Sequence, residues 1–105
     1  YFGLTPEVRK LALHFCQGCL ERLKSIDDVI ESSSPNWQVS RMATTDRAIL
    51  RLATYEIMES SVPIKVILNE AIRSAKIYGL EHSGKFVNGV LDSIAKAQRK
   101  KESST

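Results

Sequence analysis

Phe86-Val87-Asn88-Gly89-Val90-Leu91-Asp92-Ser93-Ile94-Ala95 is the stretch on which the fold class turns. Asn-Gly between two apolar pairs is the strongest short signal for a two-residue β-hairpin turn, and it would make the chain mixed α and β. The longer pattern opposes it. Phe86, Val87, Val90, Leu91, Ile94 and Ala95 recur at helical spacing. Glu81 with Lys85 and Asp92 with Lys96 form acid-before-base pairs four residues apart, which stabilise a helix and do nothing for a hairpin. The stretch therefore predicts a helix, with Gly89 tolerated at a propensity cost of about 1 kcal/mol so that another helix can approach closely.

Upstream the same period continues. Val66, Ile67, Ala71, Ile72 and Ala75 predict a helix that starts at Pro63, where a fixed φ suits the first turn, and stops at Gly79, read as a left-handed cap. Ile49, Leu52, Ala53 and Ile57 predict another that opens near Thr44-Thr45-Asp46 and ends around Glu59-Ser60-Ser61. Thr5-Pro6-Glu7 reads as the start of an earlier helix. Its stripe comprises Val8, Leu11, Ala12, Phe15, Cys19, Leu20, Leu23 and Ile26, and Ser25 caps a short continuation through Val29 and Ile30. Ser32-Ser33-Ser34-Pro35-Asn36 then has turn composition. The expected architecture is all-α, a helical bundle with short connections. A first part (1–36), a second (37–98) and a basic flexible tail (99–105) divide the chain.

Length and charge narrow the function classes. A chain of 105 residues, 43% hydrophobic and 26% charged, suits one globular domain and excludes a disordered or fibrous protein. No apolar run approaches the roughly 20 residues a membrane helix needs, so no membrane partner is expected. The net charge of +3 belongs to the end of the chain: residues 1–95 hold 11 basic and 11 acidic side chains, and Lys96, Arg99, Lys100 and Lys101 face only Glu102 thereafter. A basic end is explained by a solvated helix terminus, so charge alone is weak evidence for nucleic acid.

Enzyme chemistry finds no home. His14, Cys16 and Cys19 are too few and too isolated for a zinc site, with His82 the only other histidine, and the cysteines read as core fillers in a reduced compartment. The serine runs lack a nucleophile-elbow pattern, and there is no glycine-rich phosphate loop. Glu56 and Glu59 read as the wet face of their helix, and Trp37 as an anchor rather than a base-stacking platform. Neither a cofactor nor a metal is expected.

Three ordered motifs carry a resemblance. Asp46-Arg47-Ala48-Ile49-Leu50-Arg51-Leu52-Ala53-Thr54-Tyr55-Glu56, then Val62-Pro63-Ile64-Lys65-Val66-Ile67-Leu68-Asn69-Glu70-Ala71, then Gly79-Leu80-Glu81-His82-Ser83-Gly84-Lys85-Phe86-Val87-Asn88-Gly89-Val90-Leu91-Asp92 are similar to the NusB family of bacterial transcription antitermination factors, and Trp37, Arg41 and Met42 also fit. The resemblance implies two small helical bundles, the N-terminal one incomplete here, in a cytoplasmic, non-catalytic protein. Such a protein binds the boxA element of ribosomal RNA transcripts with the ribosomal protein NusE, inside the RNA polymerase antitermination complex. It implies His82, Lys85 and Phe86 as RNA-binding residues and Asp46 and Arg47 as contacts to the protein partner. The family ordinarily begins with an Arg-rich helix that this chain lacks, so the chain alone is expected to bind RNA weakly, and its uncovered apolar face to favour pairing of two copies. Phe86 as core, Asp46 as a dipole partner, and Arg47 or Arg51 paired within the bundle remain open beside these roles. Asn69, Glu70 and Asn88 read as hydrogen-bonders between helices. Two other functions stay open: the NusB-like RNA-binding domain of an rRNA cytosine methyltransferase, and a structural helical adaptor.

Overall fold

The computed structural model describes Leu13, residues 16–34, Asn36 and residues 38–103, with side chains as far as Gln98. The described residues are helical, without strands. Residues 16–21 form a helical segment that breaks at Arg22. Four helices follow: α1 (Leu23–Ser32), α2 (Thr44–Glu59), α3 (Ile64–Tyr78) and α4 (Ser83–Ser103), with a 3-10 turn (Val39–Arg41) between α1 and α2. The Asn88-Gly89 stretch lies inside α4, so the 3.6-residue period prevails over the hairpin dipeptide.

Two α2–α4 boundaries follow their expected residues for local reasons. The Pro63 carbonyl accepts from the N–H groups of Val66 and Ile67, which starts α3. Gly79 ends it, donating its N–H to the Ala75 carbonyl at 2.9 Å. Its backbone is extended (φ −92°, ψ −169°), not left-handed as expected. Glycine is required for space: a Cβ there would lie 2.6 Å from both the Ala75 carbonyl oxygen and the Ser83 Cβ. Two other local expectations also change. Ser25 lies within α1, which begins after Arg22. Helix α4 continues to Ser103, into the stretch assigned to a flexible tail.

One apolar cluster joins the elements. Cys19, Ile26 and Ile30 meet Val39, Met42, Leu50, Ala53, Ile67, Ala71, Ala75, Val87, Val90, Leu91 and Ile94. The stripe expected on α4 is buried apart from Phe86, which is half-buried against the cluster. On α2 the inward positions are Asp46, Leu50, Ala53 and Thr54, while Leu52 is exposed. This helix touches α1, α3 and α4, so it buries more than one stripe and a single-face reading misplaces it. Leu20 and Val66, both expected inside, are exposed. Gly89, expected at a close helix approach, has open space around its Cα among the described residues. The close approach occurs at Gly18, where a Cβ would collide with the Tyr55 ring and hydroxyl.

Polar contacts fix the first elements to this core. Arg51 donates to both carboxylate oxygens of Asp27 at 2.9 Å, so of the two arginines weighed for an internal ion pair Arg51 takes it. That bond is the main reason the Arg51 guanidinium is held above its ordinary pKa, and burial opposes it. Arg22 pairs with Glu59. The Val39 N–H donates to the Glu31 carboxylate at 2.8 Å, tying the 3-10 turn to α1. Asn69, Glu70 and Asn88 are exposed and, among the described residues, make no side-chain hydrogen bond, so they do not join helices. Of the two expected pairs on α4, Asp92 with Lys96 forms at 2.9 Å; Glu81 with Lys85 does not, because the helix begins after Glu81. His14, Phe15, Trp37 and the Thr5-Pro6-Glu7 start lie outside the described residues.

Candidate nucleic-acid interface

The turn between α3 and α4 is the centre of the site. Its shape comes from Ser83, which is 2% exposed. The Leu80 N–H donates to Ser83 Oγ at 2.8 Å, and the Ser83 N–H donates back to the Leu80 carbonyl at 3.0 Å. The reciprocal pair closes residues 80–83 into a rigid turn and satisfies amide groups at the start of α4 that helix geometry would leave unpaired. Leu80 is pushed outward, 71% exposed.

Two cavities flank this turn and share Leu80 and His82. The first, about 460 Å³, is lined among the described residues by Met42, Ala43, Asp46, Leu80, His82, Ser83 and Phe86. Its wall is mainly apolar, with one carboxylate. Asp46 stands in the first turn of α2, where a negative charge suits the helix dipole, and is 8% exposed. Its Oδ1 is buried and has no hydrogen-bond partner among the described residues. The second cavity, about 490 Å³, is lined by Lys76, Gly79, Leu80, Glu81, His82, Gly84 and Lys85. Gly84 is buried beneath the aliphatic stem of Lys76, with Lys76 Cγ 3.1 Å from where a Cβ would stand. Lacking a side chain, Gly84 lets Lys76 cross the start of α4 and share the second cavity with Lys85.

Of the residues anticipated from the sequence, His82, Phe86 and Asp46 thus line one cavity, although Asp46 was assigned to a different partner. His82 and Lys85 line the other. Arg47 lines neither; it is half-buried and makes no ion pair among the described residues. Lys76, Met42 and Ser83 were not singled out for the site. Gly84, six positions after the end of α3 and the second residue of α4, is the sequence feature that makes room for Lys76. Both groups of residues give a surface with two cations and one carboxylate, Glu81, at a helix N-terminus, beside an apolar hollow with an acceptor at its wall; the net positive charge and the hollow suit a phosphate and an attached aromatic group.

Elsewhere the described residues hold no group of three or more His, Cys, Asp or Glu that could bind a metal ion. Both cysteines are free, Cys19 buried and Cys16 exposed, so only Cys19 fills the core as expected. Burial pushes the Cys19 thiol up, with Cys16 and Asp27 adding and Arg51 opposing, which makes it a poor nucleophile. Glu56 is half-buried rather than on a wet face, and its carboxyl is raised by burial first and by Glu70 second. Among the described residues no helix is long and apolar enough to cross a membrane.

An all-helical bundle with Lys76 and Lys85 brought together at the start of its last helix defines a class of helical modules, and comparison with known proteins makes the class specific. The sequence profile of the NusB family matches residues 1–96. A transcription antitermination protein NusB of Anaeromyxobacter sp. (strain Fw109-5) is 52% identical over 89 residues, 85% of this chain and 62% of that protein. That of Thermotoga maritima is 49% identical over 92 residues, 87% of this chain and 65% of that protein. A solved structure of T. maritima NusB superposes with a TM-score of 0.84 at 44% identity, covering 91% of this chain and 68% of the other. The chain belongs to the NusB family, and it spans somewhat under two thirds of the length of these curated relatives.

Proposed function

We propose that this chain works in transcription antitermination as a cytoplasmic, non-catalytic RNA-binding module, holding the boxA element of ribosomal RNA transcripts together with NusE in the RNA polymerase antitermination complex. The names of its relatives support the antitermination role. The observation that carries RNA binding is the placing of Lys76 and Lys85 on one cavity at the start of α4, directly beside the hollow that Phe86 lines. Two ammonium groups beside the positive end of a helix dipole attract a phosphate, and an aromatic wall next to them suits an unstacked base. Asp46, with Arg47 near it on α2, is read as the contact to NusE, at the edge of the same surface.

Fluorescence-anisotropy titration of boxA RNA and a scrambled control tests this, with and without NusE, at two salt concentrations. Binding of boxA should exceed the control, tighten with NusE and weaken with salt. Lys85→Ala should lower affinity for both RNAs alike and reduce the salt slope by about 1, as loss of one phosphate contact does. Equal binding of both RNAs whether or not NusE is present would defeat the antitermination reading. Light scattering across a range of concentrations tests the pairing of two copies, which should raise the apparent mass with concentration.

A further inference from the structure

We propose that Cys16 and Cys19 form an oxidant-responsive pair, in which exposed Cys16 takes an oxygen from a peroxide and buried Cys19 then closes a disulfide onto it, leaving its seat against α2. Neither residue lines the cavities beside the α3–α4 turn, so the site stands apart from the RNA-binding reading.

The stretch reads Cys16-Gln17-Gly18-Cys19, and all four residues are helical. Three residues apart on a helix, the cysteines share a side, with their Cβ atoms about 5 to 6 Å apart. Their environments differ. Cys16 is exposed, whereas Cys19 is 6% exposed and its thiol donates weakly to the Arg51 carbonyl at 3.9 Å. An accessible thiol beside a buried one divides the labour as redox-sensing pairs do: the first is oxidised and the second resolves it. Burial first, and Cys16 next, push the Cys19 thiol up, which keeps it from meeting an oxidant on its own. The pair lacks the donors for a zinc ion, since among the described residues no third His, Cys, Asp or Glu joins it.

A disulfide needs Cβ atoms about 3.5 to 4.5 Å apart, so the turn from Cys16 to Cys19 must tighten. A change from α to 3-10 geometry does this, because residues i and i+3 then lie one above the other. The next turn already has that form: the Arg22 N–H donates to the Cys19 carbonyl at 3.2 Å, and the helix breaks at Arg22. Tightening disturbs what the turn touches. Gly18 lies against the Tyr55 ring, where no Cβ would fit, and Cys19 sits in the apolar cluster. Closing the bond therefore draws Cys19 off the Arg51 carbonyl, moves Gly18 against Tyr55 and loosens residues 16–21 from α2.

With a peroxide as oxidant the step balances. The Cys16 thiol takes one oxygen from hydrogen peroxide and becomes a sulfenic acid, releasing water. The Cys19 sulfur then attacks the Cys16 sulfur; the S–S bond forms, the S–O bond breaks, and the hydroxyl leaves with the Cys19 proton as a second water. Held in one turn, the two sulfurs meet far more often than thiols of separate chains.

The test adds hydrogen peroxide to the native chain and follows intact mass, maleimide labelling and migration on a non-reducing gel. The product should be a monomer lacking two hydrogens and both free thiols, and dithiothreitol should restore it. On oxidation the NMR signals of the Gly18, Arg51 and Tyr55 amides should shift while those of Lys76 and Lys85 stay, and the urea midpoint should fall. Cys16→Ser, at an exposed position, should leave Cys19 unreactive until urea opens the fold. Cys19→Ala should stop at a sulfenic acid on Cys16, which dimedone traps. Disulfide-linked dimers as the main product, or oxidation of Cys19 at the wild-type rate in Cys16→Ser, would overturn the proposal. So would an intramolecular disulfide that leaves those three amides and the urea midpoint unmoved, or thiols that stay free in the native chain at a peroxide dose that oxidises them in urea. Because the wild-type measurements need no variant, a folding defect in Cys19→Ala does not obscure the result.

Discussion

Two seams hold the bundle together by different means. Between α3 and α4 the buried residues are aliphatic, Ile67, Ala71 and Ala75 on one helix and Val87, Leu91 and Ile94 on the other, and this is the most extensive helix contact among the described residues. Between the first elements and α2, Ile26 and Ile30 reach the same apolar cluster and polar ties are added to it: Asp27 with Arg51, Arg22 with Glu59, and the Cys19 thiol with the Arg51 carbonyl at 3.9 Å. The aliphatic seam gains from leaving water and tolerates little loss of volume. The polar seam gains less per contact, because half-exposed charges are already well solvated, but it fixes orientation through bond geometry. The difference teaches which seam carries stability and which carries register.

Substitutions can break that contrast. Leu91→Ala, at a fully buried position on α4, should cost about 2 to 5 kcal/mol in urea denaturation, the range for a large-to-small change in a packed core. Gly79→Ala tests the connection between the same two helices. A methyl group there meets the Ala75 carbonyl, which cannot turn aside as a side chain could, and the loss should be about 1 to 3 kcal/mol. On the polar seam, Asp27→Ala leaves the half-buried Arg51 guanidinium unpaired and should cost about 1 to 2 kcal/mol. A loss there as large as at Leu91 would erase the distinction between the seams.

The smallest effect sharpens the comparison through pH. The Glu56 carboxyl is raised in the fold by burial and by Glu70, so the folded state holds its proton more tightly than the unfolded chain does. Stability from this group is therefore present at low pH and is lost as pH rises from the unfolded value through the folded one. Glu56→Gln should raise the melting temperature slightly at neutral pH, by the equivalent of at most about 0.5 kcal/mol, and leave it unchanged near pH 4. A gain that persists at acid pH would remove charge as the cause.

The aliphatic seam was legible in the sequence and the polar seam only in part. The spacing from Val87 to Ala95 and the Pro63 and Gly79 boundaries follow from periodicity and backbone chemistry that neighbouring residues determine. The inward face of α2 does not. Thr54 is fully buried and Leu52 exposed, because three surrounding elements divide that helix's circumference and hydropathy alone cannot order them. Asp27 and Arg51 lie 24 positions apart, and no local pattern predicts such a pair. The same holds for the site. The motif residues at the α4 start were found together, while the joining of Asp46 to His82 and Phe86 in one hollow depends on how α2 packs against that turn.

Helix α4 has a further consequence. At 1.5 Å per residue its 21 residues extend about 31 Å, against about 22 Å for the 15 of α3. Among the residues whose side chains are described, its last buried one is Ala95. In hydrogen-deuterium exchange this one continuous rod should therefore behave as two bodies: amides near Leu91 should open only when the whole molecule does, and those of Lys96 and Ala97, whose side chains are exposed, should exchange sooner.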